Sequence, residues 1–274
     1  GNQYGSIFPR KVNYFLGVCM STSLFDISGK NAIVTGGNGG IGLAIAEGFA
    51  ANGVNLLIVG RNEDKNSLAI SRLEKFGTNV FSLAADISQE SEVKKTIDYA
   101  NAELNSVDIL VNNAGINIRK PPQDFSVEEW DSVISVNLKS AFLMSQKVYP
   151  LMKKLNGGKI INIGSMYSVF GSDWSAAYSS SKAGLVQLSK SLAMSWAKDN
   201  IQVNTILPGW IKTDLTAPIE GLFPDRFDII NRRIPIGRWG EPEDLMGVTI
   251  FLASFASNYL TGTSIPVDGG YSSF

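Results

Sequence analysis

The sequence runs to 274 residues with 24 basic and 25 acidic side chains, a formal charge of −1, 44% hydrophobic residues, one cysteine and no histidine. That length and apolar content suit one large domain with a substantial core, and the balanced charge leaves no basic footprint for nucleic acid and no polybasic membrane patch. The lone Cys19 excludes an internal disulfide framework, and without histidine no metal is expected.

The chain opens with GNQYGSIFPRKVNYFLGVC, a poor secretory leader because Asn13 and Tyr14 interrupt its short apolar stretch. Met20 stands just before STSLFDISGK, so residues 1–19 read as an extension, upstream or added, outside a single domain spanning residues 20–274. The longest apolar stretches are broken by glycine and asparagine well short of the ~18 residues that a membrane span requires. Neither nucleic acid nor membrane is an expected partner, and a reducing cytoplasm fits the cysteine usage.

Apolar runs then alternate with amphipathic segments. Strands are predicted at residues 31–35, 56–60, 79–85, 108–112, 159–164, 201–207 and 263–268. Between them lie stretches of helical period, such as EVKKTIDYANAEL, which spaces Val93, Ile97, Ala100 and Leu104 along one face. Strands apolar on both faces, alternating with helices, predict an α/β fold with a parallel sheet covered by helices on each side. No Pro- or Ser-rich linker divides the chain and no internal repeat is visible.

The first strand runs directly into TGGNGGIG and then a helical segment. Glycines there permit a tight turn and close backbone approach to a pyrophosphate, while the helix start offers free N–H groups to the anion. Gly36, Gly40 and Gly42 follow a TGxxxGxG spacing, which alone is equally compatible with an ordinary βα turn. The second strand ends in VGRN, where a cofactor ribose would arrive. Gly60 there leaves the acidic position empty and Arg61 follows, which favours NADP(H) over NAD(H) by offering a guanidinium to a 2′-phosphate; NAD(H) stays open as the other cofactor.

TGGNGGIG, NNAG (112–115), Asn137, Ser165, YSSSK (178–182) and PG (208–209), in this order and spacing, resemble the short-chain dehydrogenase/reductase family from about Leu24 to the C-terminus. The resemblance implies a single-domain Rossmann fold, doubly wound around a seven-stranded parallel sheet, and assembly as a homotetramer through the helix carrying Tyr178 and the C-terminal segment. It implies a catalytic set of Asn137, Ser165, Tyr178 and Lys182. Tyr178 would donate the proton in ketone reduction and accept it in alcohol oxidation, Ser165 would hydrogen-bond the substrate oxygen, and Lys182 would hold the nicotinamide ribose. Asn137 would interrupt a helix to seat a water leading from Lys182 to solvent. Gly36, Asn38, Gly39, Gly40, Ile41, Gly42, Arg61 and Asn62 would hold the cofactor, with Asp86 and Ile87 flanking the adenine. Asn113, Ala114 and Gly115 would line its ribose, and Pro208, Gly209, Ile211 and Thr213 would border its nicotinamide.

In a chain without histidine the Tyr178/Lys182 pair stands where an imidazole would do acid/base work. A free phenol has a pKa near ~10, so only about 0.1% is ionised at pH 7, and bringing it close to neutrality takes roughly 3 to 4 kcal/mol. Four residues apart on a helix, the Lys182 ammonium shares a face with Tyr178 and, together with the positive nicotinamide of the cofactor, is expected to lower its pKa. A Ser/His/Asp triad is excluded, and a GxSxG elbow is missing.

The segment after PGWIKTD, about residues 213–237, corresponds to the family's substrate lid; its Leu222, Phe223 and Phe227 are read as core in the first instance. Arg119, Met166, Tyr167 and Trp210 are the candidate substrate contacts, Arg119 because a guanidinium at the site's mouth would bind a carboxylate. NAGINIRK, GKIINIGSM and the text from RIPIGRWG onward resemble the family's sugar-acid branch of gluconate 5-dehydrogenases and 2-deoxy-D-gluconate 3-dehydrogenases. Met166, Tyr167, Phe170 and Trp174 after the serine suit a bulkier carbonyl, so a broad carbonyl reductase or an acyl-carrier-protein ketoreductase is the alternative. A non-catalytic nucleotide-sensing scaffold is disfavoured by retention of all four catalytic residues.

Overall fold

The structure, a computed structural model, describes residues 24–273. The extension read at residues 1–19, with Cys19, lies outside the described residues.

Seven parallel strands form one sheet: β1 (Asn31–Thr35), β2 (Asn55–Gly60), β3 (Val80–Ala84), β4 (Ile109–Asn112), β5 (Gly158–Ile163), β6 (Ile201–Pro208) and β7 (Ser264–Val267). Their order is β3-β2-β1-β4-β5-β6-β7, with Val34 of β1 in register with Ile58 of β2 and Val111 of β4. These are the seven predicted strands, with ends shifted by one residue or so. The apolar runs are continuous because both faces are covered, and the period of two shows in which face each residue serves. Val34, Leu56, Ile58 and Val111 pack into one core beneath α1 (Gly40–Ala51), α2 (Glu63–Leu73) and α9 (Met246–Ala253). Their neighbours Ile33, Leu57, Val59 and Leu110 pack on the other face against α3 (Glu90–Leu104), α5 (Ser140–Lys154) and α6 (Ala176–Trp196). Each such side chain, fully buried, contributes roughly 1.5 to 3 kcal/mol.

The chain leaves β1 toward one edge of the sheet and β4 toward the other, so the C-terminal ends of these neighbours open a crevice where ligands of such sheets bind. Between β4 and β5 comes α4 (Val127–Ile134), which begins at a Ser126/Glu129 capping box, and between β6 and β7 come two short helices, α7 (Pro218–Leu222) and α8 (Pro224–Arg232). The latter two belong to a third apolar cluster of Trp174, Ile219, Ile230, Ile234 and Trp239, joined by Trp210, Phe227 and Tyr271. Phe227 is in that cluster, whereas Leu222 is 70% exposed and does not serve as core. In a five-residue helix lying over the surface, only one side faces inward.

Candidate active site

At the end of β1, Gly36 turns the chain in the left-handed region (φ +64°) and α1 begins four residues later. No side chain caps α1 and its first turn carries no acid, so its N–H groups are available to an anion. Gly42 is required by close approach, because a Cβ there would run into the carbonyl oxygen of Gly36 and the amide of Asn113. Asn113 Nδ2 donates to the carbonyls of Thr35 (3.0 Å) and Gly36 (3.1 Å), while Thr35 Oγ1 accepts from the backbone N–H groups of Asn113 and Ala114. These bonds stitch the ends of β1 and β4 together under the turn.

One cavity runs along Gly36, Asn38, Gly39, Gly40 and Ile41, past Asn113, Ala114 and Gly115, to Ser165, Tyr178, Lys182, Pro208, Gly209, Ile211 and Thr213. Gly42, Arg61, Asn62, Asp86 and Ile87 lie outside its wall. Asn62 caps α2 by accepting from Lys65 N (2.8 Å), Asp86 accepts from Ser88 N (3.1 Å), and Ile87 is buried in the core. Arg61 stands exposed just past β2. The place beside Gly60, expected to be empty, is filled: Asn38 Nδ2 donates to Asn66 Oδ1 (2.7 Å), Asn66 Nδ2 donates to the Gly60 carbonyl (3.0 Å), and a Cβ on residue 60 would strike both asparagines. The missing acid therefore has a packing cause as well. A bare helix start, a glycine turn that tolerates no side chain beneath it and an exposed guanidinium at the second strand's end together fit a dinucleotide.

Beyond α4 the helical ladder widens into one π-helical turn, Ser135–Lys139, which carries the buried Asn137. Such a bulge re-aims a side chain that a regular helix would direct elsewhere. Asn137 grips one residue by both backbone groups, with Ile116 N donating to Oδ1 (2.8 Å) and Nδ2 donating to the Ile116 carbonyl (3.0 Å), and Nδ2 also reaches Ser181 Oγ (3.0 Å). Ser165 follows β5 and caps a 3-10 turn, its Oγ accepting from Tyr167 N (3.1 Å). Ser168 donates to the Lys182 carbonyl (2.9 Å), which ties this turn to α6. Tyr178 and Lys182 lie one turn apart on α6.

Among the protein's own groups, burial has the largest influence on this pair. Burial pushes the Tyr178 phenol above its ordinary value, against the opposing pull of a hydrogen bond from Ser165 and the positive charge of Arg119. Burial also brings the Lys182 ammonium down to about 8, and its Nζ is engaged with the Ile163 carbonyl at 2.6 Å. Spacing on a helix shows proximity, whereas desolvation is set by the tertiary structure and is the largest influence on Tyr178.

Ser165 and Tyr178 also border a second hollow whose wall includes all four candidate substrate contacts, Arg119, Met166, Tyr167 and Trp210. Asn117, Gly209, Leu215, Thr216 and Tyr271 complete it. The Arg119 guanidinium donates to the Leu215 carbonyl (2.8 Å) and lies 5.7 Å from the centre of the Trp174 ring. It has no carboxylate partner among the described residues, and burial lowers its pKa. Tyr167 meets Tyr178 and Trp210 edge to face. Asn117 stands two residues before Arg119, and that short spacing was the available signal for it. Tyr271, near the far end of the chain, gave none.

A phenol that can donate or accept a proton, a hydroxyl beside it and a guanidinium across the hollow form a site for moving a proton on the oxygen of an anionic substrate. A sequence-family model described as enoyl-(acyl carrier protein) reductase matches residues 36–272. The chain is 42% identical over 253 residues to the 2-dehydro-3-deoxy-D-gluconate 5-dehydrogenase of Escherichia coli, covering 92% of this chain and 99% of that one. It is 40% identical over 252 residues to the enzyme of the same name from Formosa agariphila, covering 92% and 96%. Among solved structures, a gluconate 5-dehydrogenase from Burkholderia cenocepacia in complex with NADP and tartrate superposes with a TM-score of 0.88 at 35% identity, covering 92% of this chain and 98% of that one.

Proposed function

Because the chain belongs to the short-chain dehydrogenase/reductase family, we propose that it interconverts a ketone and a secondary alcohol on a sugar acid of the gluconate type, with NADP(H) as the preferred cofactor. The observation that carries this reading is Arg119, a half-buried guanidinium without a carboxylate partner among the described residues, in the same wall as Ser165 and Tyr178. A half-buried cation there favours an anionic substrate. The two relatives named for 2-dehydro-3-deoxy-D-gluconate and the structure named for gluconate support the same class.

The turn from Gly36 to Ile41 and the start of α1 would hold the pyrophosphate, Lys182 the nicotinamide ribose and Arg61 a 2′-phosphate. The bound dinucleotide supplies or accepts the hydride. Tyr178 gives its phenolic proton to the carbonyl oxygen in reduction and takes it back in oxidation, and Ser165 donates a hydrogen bond to that oxygen as charge grows on it. With its pKa raised by burial, Tyr178 is fully protonated at neutral pH and ready as a donor. Arg119 anchors the far carboxylate and so orients the chain of the acid. Composition supports work in the cytoplasm. Assembly as a homotetramer is proposed from the family resemblance.

Absorbance of the reduced nicotinamide tests this directly. Reduction of 5-keto-D-gluconate, oxidation of gluconate and of 2-dehydro-3-deoxy-D-gluconate, and reduction of uncharged ketones are each followed with both cofactors. Faster NADP(H)-dependent turnover of the acids is expected. Turnover confined to uncharged ketones overturns the substrate class in favour of a carbonyl reductase, the second reading, which the aromatic Tyr167, Trp210 and Tyr271 of the wall favour. Preference for NAD(H) overturns the role of Arg61.

A further inference from the structure

Asn117 sits in the hollow beside Arg119, Ser165 and Tyr178, yet nothing in the reaction so far uses it. Its carboxamide is half satisfied. Nδ2 donates to Ser175 Oγ at 3.2 Å, whereas Oδ1 is shielded from solvent and accepts from no group among the described residues. Leaving a polar atom unpaired and out of water is costly, and native structures reserve such atoms for a reason.

The carboxamide is also held in place. Ser175 is fully buried and immediately precedes α6, so the group that orients Asn117 is anchored to the helix bearing Tyr178 and Lys182. On the other side, Asn137 fixes the backbone of Ile116, one residue before Asn117, through both its N–H and its carbonyl. An acceptor held from two sides, in a wall that also offers a cation, suits a ligand bearing both a hydrogen-bond donor and an anion.

We propose that Asn117 is a specificity residue whose carboxamide oxygen accepts a hydrogen bond from a substrate hydroxyl, so that the site reads the hydroxylation of the acid as well as its charge. This rests on the sugar-acid reading. In that reading Arg119 selects for a carboxylate, and Asn117 separates a polyhydroxy acid from its deoxy congeners. A site built to bond a hydroxyl discriminates strongly against an analogue that lacks it, because the protein's own polar atom is then left unpaired.

The test compares kcat/KM for 5-keto-D-gluconate with kcat/KM for congeners lacking one hydroxyl each, in the wild type and in Asn117→Ala, with NADPH saturating. In the wild type, loss of one particular hydroxyl is expected to lower kcat/KM by roughly ten- to a hundredfold, and Asn117→Ala is expected to shrink that ratio at least about tenfold for that hydroxyl alone. Fluorescence titration of NADPH in both proteins shows that the variant is folded. Wild-type turnover with every ratio unmoved by Asn117→Ala within about twofold overturns the role of Asn117 and leaves the sugar-acid reading intact. Absence of wild-type turnover on every hydroxylated acid overturns both.

Discussion

Lys182 directs its ammonium at the carbonyl oxygen of Ile163, 2.6 Å away, and so ties α6 to the end of β5 beneath the cavity. Replacing it with methionine relieves a desolvated charge but orphans that carbonyl. The two effects oppose each other at about 1 to 3 kcal/mol each. Lys182→Met is therefore expected to melt within a few degrees of the wild type while losing both NADPH affinity and turnover by orders of magnitude. Calorimetry and fluorescence titration check this, and unchanged cofactor affinity would show that Lys182 is placed only for packing.

Asn137→Ala removes the partners of both backbone groups of Ile116 at once, and with them the bond that Ser181 Oγ accepts, leaving that hydroxyl only its bond to the Tyr178 carbonyl. With these groups inside the protein, a stability loss of roughly 2 to 4 kcal/mol is expected in urea unfolding. A fall in kcat/KM should accompany it, because the segment bearing Asn117 and Arg119 loses its anchor. A change below about 0.5 kcal/mol would mean that the π-helical turn does not position this segment.

Helix α8 is latched to the segment before α6 through Arg226, which pairs with both carboxylate oxygens of Asp173 (2.9 and 2.6 Å) and stacks 4.2 Å from the centre of the Trp174 ring. The pair is exposed, so its contribution to global stability is at most about 1 kcal/mol. Asp173→Asn is expected to leave the melting temperature almost unmoved and to raise KM several-fold, and high salt should mimic it in the wild type. Steady-state kinetics at two ionic strengths decide the matter; an unaltered KM removes the latch.

At the opposite end of the sheet, Lys159 is buried with only Ser257 Oγ (3.2 Å) and Asn258 Oδ1 (2.7 Å) as side-chain partners among the described residues, and burial, then repulsion from Lys30, lowers its pKa from 10.5 to about 8. Between those values the unfolded chain holds the proton more tightly than the folded one, so stability attributable to Lys159 rises with pH across that window, and below about 8 its full cost persists. Urea unfolding of the wild type and Lys159→Met at pH 7 and 9.5 is expected to show the wild type gaining on the order of 2 kcal/mol over the variant. A constant difference would contradict the lowered pKa.

The strands were legible because a sheet buried on both faces demands unbroken apolar runs, and the turn because Gly36 and Gly42 admit no substitute at their close approach. The spacing of Tyr178 and Lys182 placed them on one face of one helix. What stayed hidden depends on the fold bringing distant residues together. Tyr271 reaches the hollow from the chain's end, Asn38 and Asn66 fill the space beside Gly60, and Asn117 leaves one carboxamide atom unpaired. The sign of the Tyr178 shift was hidden for the same reason, since it follows from burial that helical spacing does not report.

Arg119 joins the two halves of the mechanism, because it faces the substrate hollow and its charge pulls the Tyr178 pKa downward. Comparing Arg119→Met with the wild type across pH, for a sugar acid and for an uncharged ketone, reads both effects at once. The expected result is a loss of roughly a hundredfold in kcat/KM for the acid with little change for the ketone, together with an alkaline shift of alcohol oxidation as Tyr178 loses a stabilising cation. Equal losses on acid and ketone with an unmoved pH profile would show that Arg119 neither binds the carboxylate nor acts on Tyr178.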